Sequence, residues 1–203
     1  MARCGFLMLI IFSIFPVSVS ALRQPVPAGY QRVAYSHRVP PESLYALALQ
    51  ESSRKLPHGI QPWPWSLNVQ GRTYQYDSRL EAWQALQRFL KKAPHKNIDV
   101  GLGQVNWGWN GRRFSNSWDA FEPYTNLNVA AQILRECYER KPGSWLRAAG
   151  CYHHPAGGAA AARYISGIKR KLAMIEPSKN ISPSNVPVSP ATQLVWIEPR
   201  STK

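Results

Sequence analysis

A glutamate stands where a helix would bury a hydrophobe. The spacing over residues 41–55 predicts a helix whose apolar stripe is Leu44, Leu47 and Ala48, and Glu51 occupies the next position of that stripe. A carboxyl facing a core or a cleft is desolvated, so its neutral form is favoured and its pKa rises. A carboxylic acid that stays protonated near neutral pH is what general acid catalysis requires. The alternative is that Glu51 lies in the last turn beside Ser52, Ser53, Arg54 and Lys55 and points into water. One buried carboxyl on a helix is then the constraint that the remaining segments must accommodate.

Those segments read mostly as helices. Ser78 and Glu81 are placed as a capping box for a helix with Leu80, Trp83, Leu86 and Leu90 inward. Residues 126–139 predict a helix with Leu127, Ala130, Ala131, Leu134 and Tyr138 inward. Ser144 caps a helix with Trp145, Ala148, Ala149 and Tyr152 on one face, and residues 158–172 form the last helix, using Ala161, Tyr164, Ile165, Ile168 and Leu172. Trp65, Leu67 and Val69 alternate up to Gln70-Gly71, and Tyr74 and Tyr76 alternate after it, which predicts a β-hairpin. Residues 57–64 and 97–106 read as loops, the second rich in glycine and short polar side chains, the composition of loops that carry function.

The ends read differently. Arg3, the apolar run 6–15 and the small residues up to Ala21 make residues 1–21 a cleaved signal peptide, too short in its apolar part for a span of roughly 20 residues. Residues 22–38 are an extended lead-in, and 176–203 a flexible Pro/Ser/Asn-rich tail with an apolar element at Leu194, Val195, Trp196 and Ile197. The mature chain is expected in the periplasm, with no membrane span left after cleavage. It keeps Cys137 and Cys151, and two cysteines in an oxidising compartment suggest one disulfide, against two buried thiols.

The net charge of +14, from 25 Lys and Arg against 11 Asp and Glu, attracts polyanions. An exported chain meets the cell wall and its stem-peptide carboxylates before nucleic acid, which is not expected as a partner. The eight tryptophans add aromatic faces suited to sugar rings. Trp83 and Trp145 are read as core, whereas Trp107 and Trp109 sit among glycines and asparagines. The five histidines show no metal-ligand spacing such as H-E-x-x-H, and neither metal nor cofactor is expected.

Four segments stand in order: 46–53 (ALALQESS), 99–106 (DVGLGQVN), 121–134 (FEPYTNLNVAAQIL) and 148–155 (AAGCYHHP). This order resembles the soluble lytic transglycosylase (SLT) domain of the lysozyme-like superfamily, and within it the small exported members attached to conjugation and type IV secretion machines. The resemblance covers about residues 39–172. It implies a mainly α, lysozyme-like helical domain over 39–175 with a small β-hairpin insertion within 57–96.

It also implies roles. Glu51 is the single acid/base; Ser52 completes its Glu-Ser signature and contacts substrate; Gln104 and Asn106 line the sugar cleft; Tyr152 is the substrate-contacting tyrosine near the catalytic carboxyl. Two positions depart from the family pattern. Gly103 replaces a methionine, which makes one cleft wall smaller, and His153 replaces an asparagine that contacts substrate. The implied reaction cleaves the MurNAc-β-1,4-GlcNAc bond of peptidoglycan with formation of 1,6-anhydroMurNAc, to open the wall for an envelope-spanning apparatus. A lysozyme-type hydrolase would need a second carboxylate. Asp99 is the one carboxylate inside a second motif, with loop capping as its other role. A wall-binding scaffold without turnover is the third reading.

Overall fold

The computed structural model describes residues 23–57 and 59–177. The expected signal peptide and the tail from residue 178 lie outside the described residues. Helices α1 (Ala28–Ser36) and α2 (Pro41–Glu51) come first, followed by two hairpins, β1 (Ser53–Leu56) with β2 (Gly59–Pro62) and β3 (Ser66–Val69) with β4 (Arg72–Gln75). Then come α3 (Arg79–Leu90), β5 (Ile98–Val100), β6 (Val105–Asn106), the single turn α4 (Trp107–Asn110), α5 (Pro123–Arg140), α6 (Trp145–His153) and α7 (Gly158–Ala173). The architecture is mainly α with a small antiparallel sheet.

α2 is the centre. Leu44, Leu47 and Ala48 are buried as the stripe predicts, but so are Tyr45, Ala46 and Leu49 on the other faces. A helix apolar all round belongs inside, and α2 is enclosed by α1, α5, α6 and α7. Each fully buried leucine stabilises by roughly 1.5–3 kcal/mol. Pro41 at the first turn, with Glu42 beside it, starts the helix. It ends at Glu51 rather than at residue 55. Ser52 turns the backbone out of the helix, and Ser53 begins β1, paired with Pro62. Its hydroxyl bonds back to the Leu49 carbonyl, the local competition by which serine disfavours helix interiors. Residues 59–62, expected as loop, are therefore a strand.

The lead-in is not extended either: residues 28–36 are helical. Tyr30, Val33 and Ala34 form a buried i, i+3, i+4 stripe against α2 and α5, and Pro27 holds the extended geometry before the first turn. Pro25 and Pro27 stand just before the point where the helix starts. Gln24 then forms a parallel bridge with Ile175, just beyond α7.

A second core lies under the sheet, whose strand order is β4-β3-β5-β6. Trp63 and Trp65 are buried there in a T-shaped pair, with Leu67, Ile98 and Val100. The predicted hairpin is present, with Leu67 opposite Tyr74. β3 also pairs with β5, so the inserted hairpin and the 97–106 segment share one sheet. α3 is capped by Ser78, which accepts from the Glu81 amide. Its packed face is Ala82, Ala85 and Leu86, with Phe89 against Tyr74, whereas Leu80 is 50% exposed. Of the expected stripe, Leu86 is buried and Trp83 and Leu90 pack against this core, so only Leu80 departs, and Ala82 and Ala85 complete the face. Trp83 and Trp145 are half-buried, Trp83 donating to Ser117 Oγ and Trp145 stacking on Tyr138.

Candidate active site

Glu51 ends α2, and its side chain reaches the floor of a cleft of about 670 Å³. The carboxyl accepts a 2.5 Å hydrogen bond from the hydroxyl of Tyr164, on α7. Burial raises its pKa most, the Tyr164 hydrogen bond lowers it, and the nearby charge of Asp99 raises it; the balance is about 8. One edge stays open to the cleft while the rest of the side chain is enclosed, so the acid is both protonated at neutral pH and reachable. Burial and the neighbouring carboxyl keep the Tyr164 hydroxyl protonated, which makes it the donor. His153 stacks on the Tyr164 ring with centroids 4.4 Å apart and planes 6° apart.

The opposite wall is the β5–β6 hairpin with its turn at residues 101–104. Asn126, fully buried on α5, fastens this turn: its amide nitrogen donates to the Val100 and Ala120 carbonyls, and its oxygen accepts from the Gly103 amide at 2.8 Å. A buried polar side chain with three partners is costly to lose, because each orphaned group costs about 1–3 kcal/mol. Gly101 has φ +77° and lies against the Asn126 amide, so a side chain there is barred on both counts.

The expected site residues divide into those that face the cleft and those that hold it. Glu51, Asp99, Gln104, Asn106, Tyr152 and His153 all line the cleft, with Asn68 from the inserted hairpin. Ser52 does not; it is buried, and its hydroxyl is within hydrogen-bond reach of the carbonyls of Leu102 and Ala48. Its expected contact with substrate is replaced by a structural one, joining the end of α2 to the opposite wall. Gln104 donates its amide to the Gly101 and Ser66 carbonyls. Asn106 caps α4 through Oδ1 and donates to Asp99 and to the Lys96 carbonyl, so its amide braces the wall although it borders the cleft.

Asp99 is pushed up by burial and held down by the Asn106 hydrogen bond. Tyr152 lies close enough to feel the Glu51 charge, yet its hydroxyl donates to the Gly103 carbonyl at 2.7 Å. Tyr164, not Tyr152, is the tyrosine bonded to Glu51. Gly103 is buried, and a Cβ there would lie 2.6 Å from Ala130 Cβ and 3.0 Å from the Tyr152 hydroxyl. The glycine therefore permits close packing behind the cleft and does not widen a wall.

Cys137 of α5 and Cys151 of α6 are joined in a disulfide with Cα atoms 5.8 Å apart. Both also line the cleft, as does an ion pair in which Arg113 donates to both Glu136 oxygens at 2.7 and 2.8 Å. Of the paired tryptophans, Trp107 stacks on Phe114, whereas Trp109 is 64% exposed at the cleft edge with the Lys96 ammonium 4.2 Å from its ring centroid. Tyr164 lies on the apolar stripe of the last helix, yet it also bonds the acid. The sign of its role was a hydroxyl on an apolar stripe, because a buried tyrosine hydroxyl needs a partner. Among the described residues no group of three His, Cys, Asp or Glu is placed to hold a metal ion, and no helix is long and apolar enough to cross a membrane.

No match was found among curated proteins or among solved structures. Residues 87–174 match the family model described as Transglycosylase SLT domain. The matched stretch begins late in α3 and ends just past α7; it contains Tyr164 and most of the cleft wall but not Glu51, which the fold brings to it through the packing of α2 on α6 and α7. That match, on a mainly α fold with a small antiparallel sheet, gives the chain the lysozyme-like fold of an SLT domain over this stretch and supports the lytic transglycosylase family.

Proposed function

We propose that the protein is a peptidoglycan lytic transglycosylase that cuts between N-acetylmuramic acid and N-acetylglucosamine and leaves a 1,6-anhydro end. The observation that carries this reading is one protonated carboxyl, Glu51, lining a cleft of about 670 Å³ and held by Tyr164. Glu51 gives its proton to the glycosidic oxygen as the C1–O bond breaks, through an oxocarbenium-like transition state. The substrate's own N-acetyl group stabilises the cation. The Glu51 carboxylate then takes the proton of the muramic acid 6-hydroxyl, and O6 closes on C1. The acid is regenerated and no water is consumed.

A hydrolase would need Asp99 as base or nucleophile. Asp99 accepts from the Asn106 amide at 2.7 Å, a bond that fixes its carboxyl in the wall and favours a bracing role. The SLT match and the exposed Trp109 at the cleft edge support a glycan substrate. The leader-like first 21 residues and the disulfide support export to the periplasm. We extend the proposal to a role in opening the wall for a conjugation or secretion apparatus, supported by the order of the sequence motifs.

Digestion of purified murein by wild type and Glu51→Gln, with the products separated by mass, tests the reading. Anhydro ends from the wild type and none from the variant are expected. Reducing ends would establish the hydrolase, and intact murein with both proteins would leave the wall-binding scaffold.

A further inference from the structure

We propose that the cavity behind the disulfide is a second binding site, which takes the short acidic peptide carried by a peptidoglycan strand. This rests on the reading that a glycan strand occupies the cleft. The cavity measures about 310 Å³, at the lower end of the range of roughly 300–1,000 Å³ typical of ligand pockets.

Its lining contrasts with that of the cleft. The cleft presents Glu51, Asp99 and Glu136 beside Arg113 and Arg140, whereas the second cavity is lined by Arg140, Lys141, Arg147 and His154 with no carboxylate among the described residues. Gly150, Ala161, Ala162 and Ile165 complete it with small and apolar surface. Basic groups around a floor of small residues fit a ligand with several carboxylates and short side chains. The stem peptide, built on alanine and glutamate, has both.

Position supports the same occupant. Cys137, Arg140, Cys151 and Pro155 line both cavities, so the two meet along the disulfide. A ligand that branches from the main strand passes between such adjoining sites, and a linear glycan does not need the second. Gly157, which precedes α7 with no side-chain cap, also borders the cavity.

Ala162 lines the cavity and points outward from α7, so a charge can be placed there without disturbing the core. The test titrates a free L-Ala-D-Glu-diamino acid tripeptide into isotopically labelled wild type, Ala162→Glu and Ala162→Lys, following the backbone amides by NMR. Shifts confined to residues around 141, 147 and 157–162 are expected, with binding to Ala162→Glu weaker than to Ala162→Lys by roughly 5-fold, since the two side chains differ mainly in charge. Shifts elsewhere, no shifts, or equal binding by the two variants overturn the site.

In parallel, cleavage of peptide-bearing strands is compared with cleavage of strands stripped by an amidase. The wild type should show the lower KM on peptide-bearing strands, and Ala162→Glu should lose that advantage while cleaving stripped strands like the wild type. A wild type indifferent to the peptide overturns the proposal. If no strand is cleaved at all, the proposed enzyme function fails, and the titration alone decides the second site.

Discussion

The hydroxyl of Tyr164, on the last helix, donates its proton to the carboxyl of Glu51, 113 residues earlier in the chain. The bond favours the ionised carboxyl and so opposes the burial that raises its pKa. Tyr164→Phe should therefore raise the Glu51 pKa further and move the alkaline limb of the pH–activity profile to higher pH. Loss of alignment should lower the maximum rate by about 10-fold, less than the 10²–10⁴-fold typical of losing the general acid itself. A variant with the wild-type profile would remove Tyr164 from the mechanism.

Glu51→Gln should abolish murein cleavage, by 10²-fold or more for a lost general acid, and change stability in a pH-dependent way. The folded pKa of about 8 lies above the ordinary 4.5. The carboxyl's contribution is thus fully present below pH 4.5 and is lost as pH rises through about 8, where the folded protein must hold a buried charge. The variant, which cannot ionise, should melt above the wild type at pH 9, and the gap should close near pH 4. Parallel melting curves across that range would place the wild-type carboxyl in water.

Asp99→Asn removes a negative charge that raises the Glu51 pKa. The alkaline limb should move to lower pH, with activity reduced only modestly because the amide oxygen can still accept from Asn106. The products should remain anhydro sugars. A loss as deep as that of Glu51→Gln would assign Asp99 to the chemistry.

Gly103→Ala should destabilise the fold by about 1–3 kcal/mol, the usual cost of overpacking. The new methyl group would meet Ala130, so Gly103→Ala with Ala130→Gly should recover part of the loss, although the Tyr152 hydroxyl stays close. Chemical denaturation of the single and double variants reads the coupling. Equal stability of wild type and Gly103→Ala would contradict the contact.

Reduction of the Cys137–Cys151 disulfide should cost about 3 kcal/mol, the chain-entropy value for a loop of about 15 residues. The separation along the chain is 14 residues. Urea unfolding with and without reductant measures it, and mass spectrometry of the non-reduced protein should show no free thiol at either position.

Much of the fold and the position of the acid could be read from apolar spacing. The stripe of Leu44, Leu47 and Ala48 pointed Glu51 inward, and the disulfide was suggested by the two cysteines left in a chain read as exported. Spacing could not show that Tyr45, Ala46 and Leu49 are buried as well, because that depends on helices packed round α2. It also could not separate the residues that touch the cleft from those that brace it. Ser52 lies beside Glu51 in sequence, yet one backbone turn sends its hydroxyl to Leu102. Tyr164 and Tyr152 are alike in their own helices, and only the crossing of α7 over the end of α2 decides which reaches the carboxyl.

The bridge between Gln24 and Ile175 has a mechanical meaning. The Gln24 amide donates to the Met174 carbonyl, and the Glu176 amide donates to the Gln24 carbonyl. Whatever precedes residue 24 and whatever follows residue 176 therefore leave the body from one neighbourhood. A tether on either end would therefore hold the protein at the same point. From Tyr164 to Ala173, where α7 ends, is about 14 Å along the helix. A tether attached at either end would pull on two backbone hydrogen bonds before it strained the catalytic helices, leaving the cleft free to swing about its mooring.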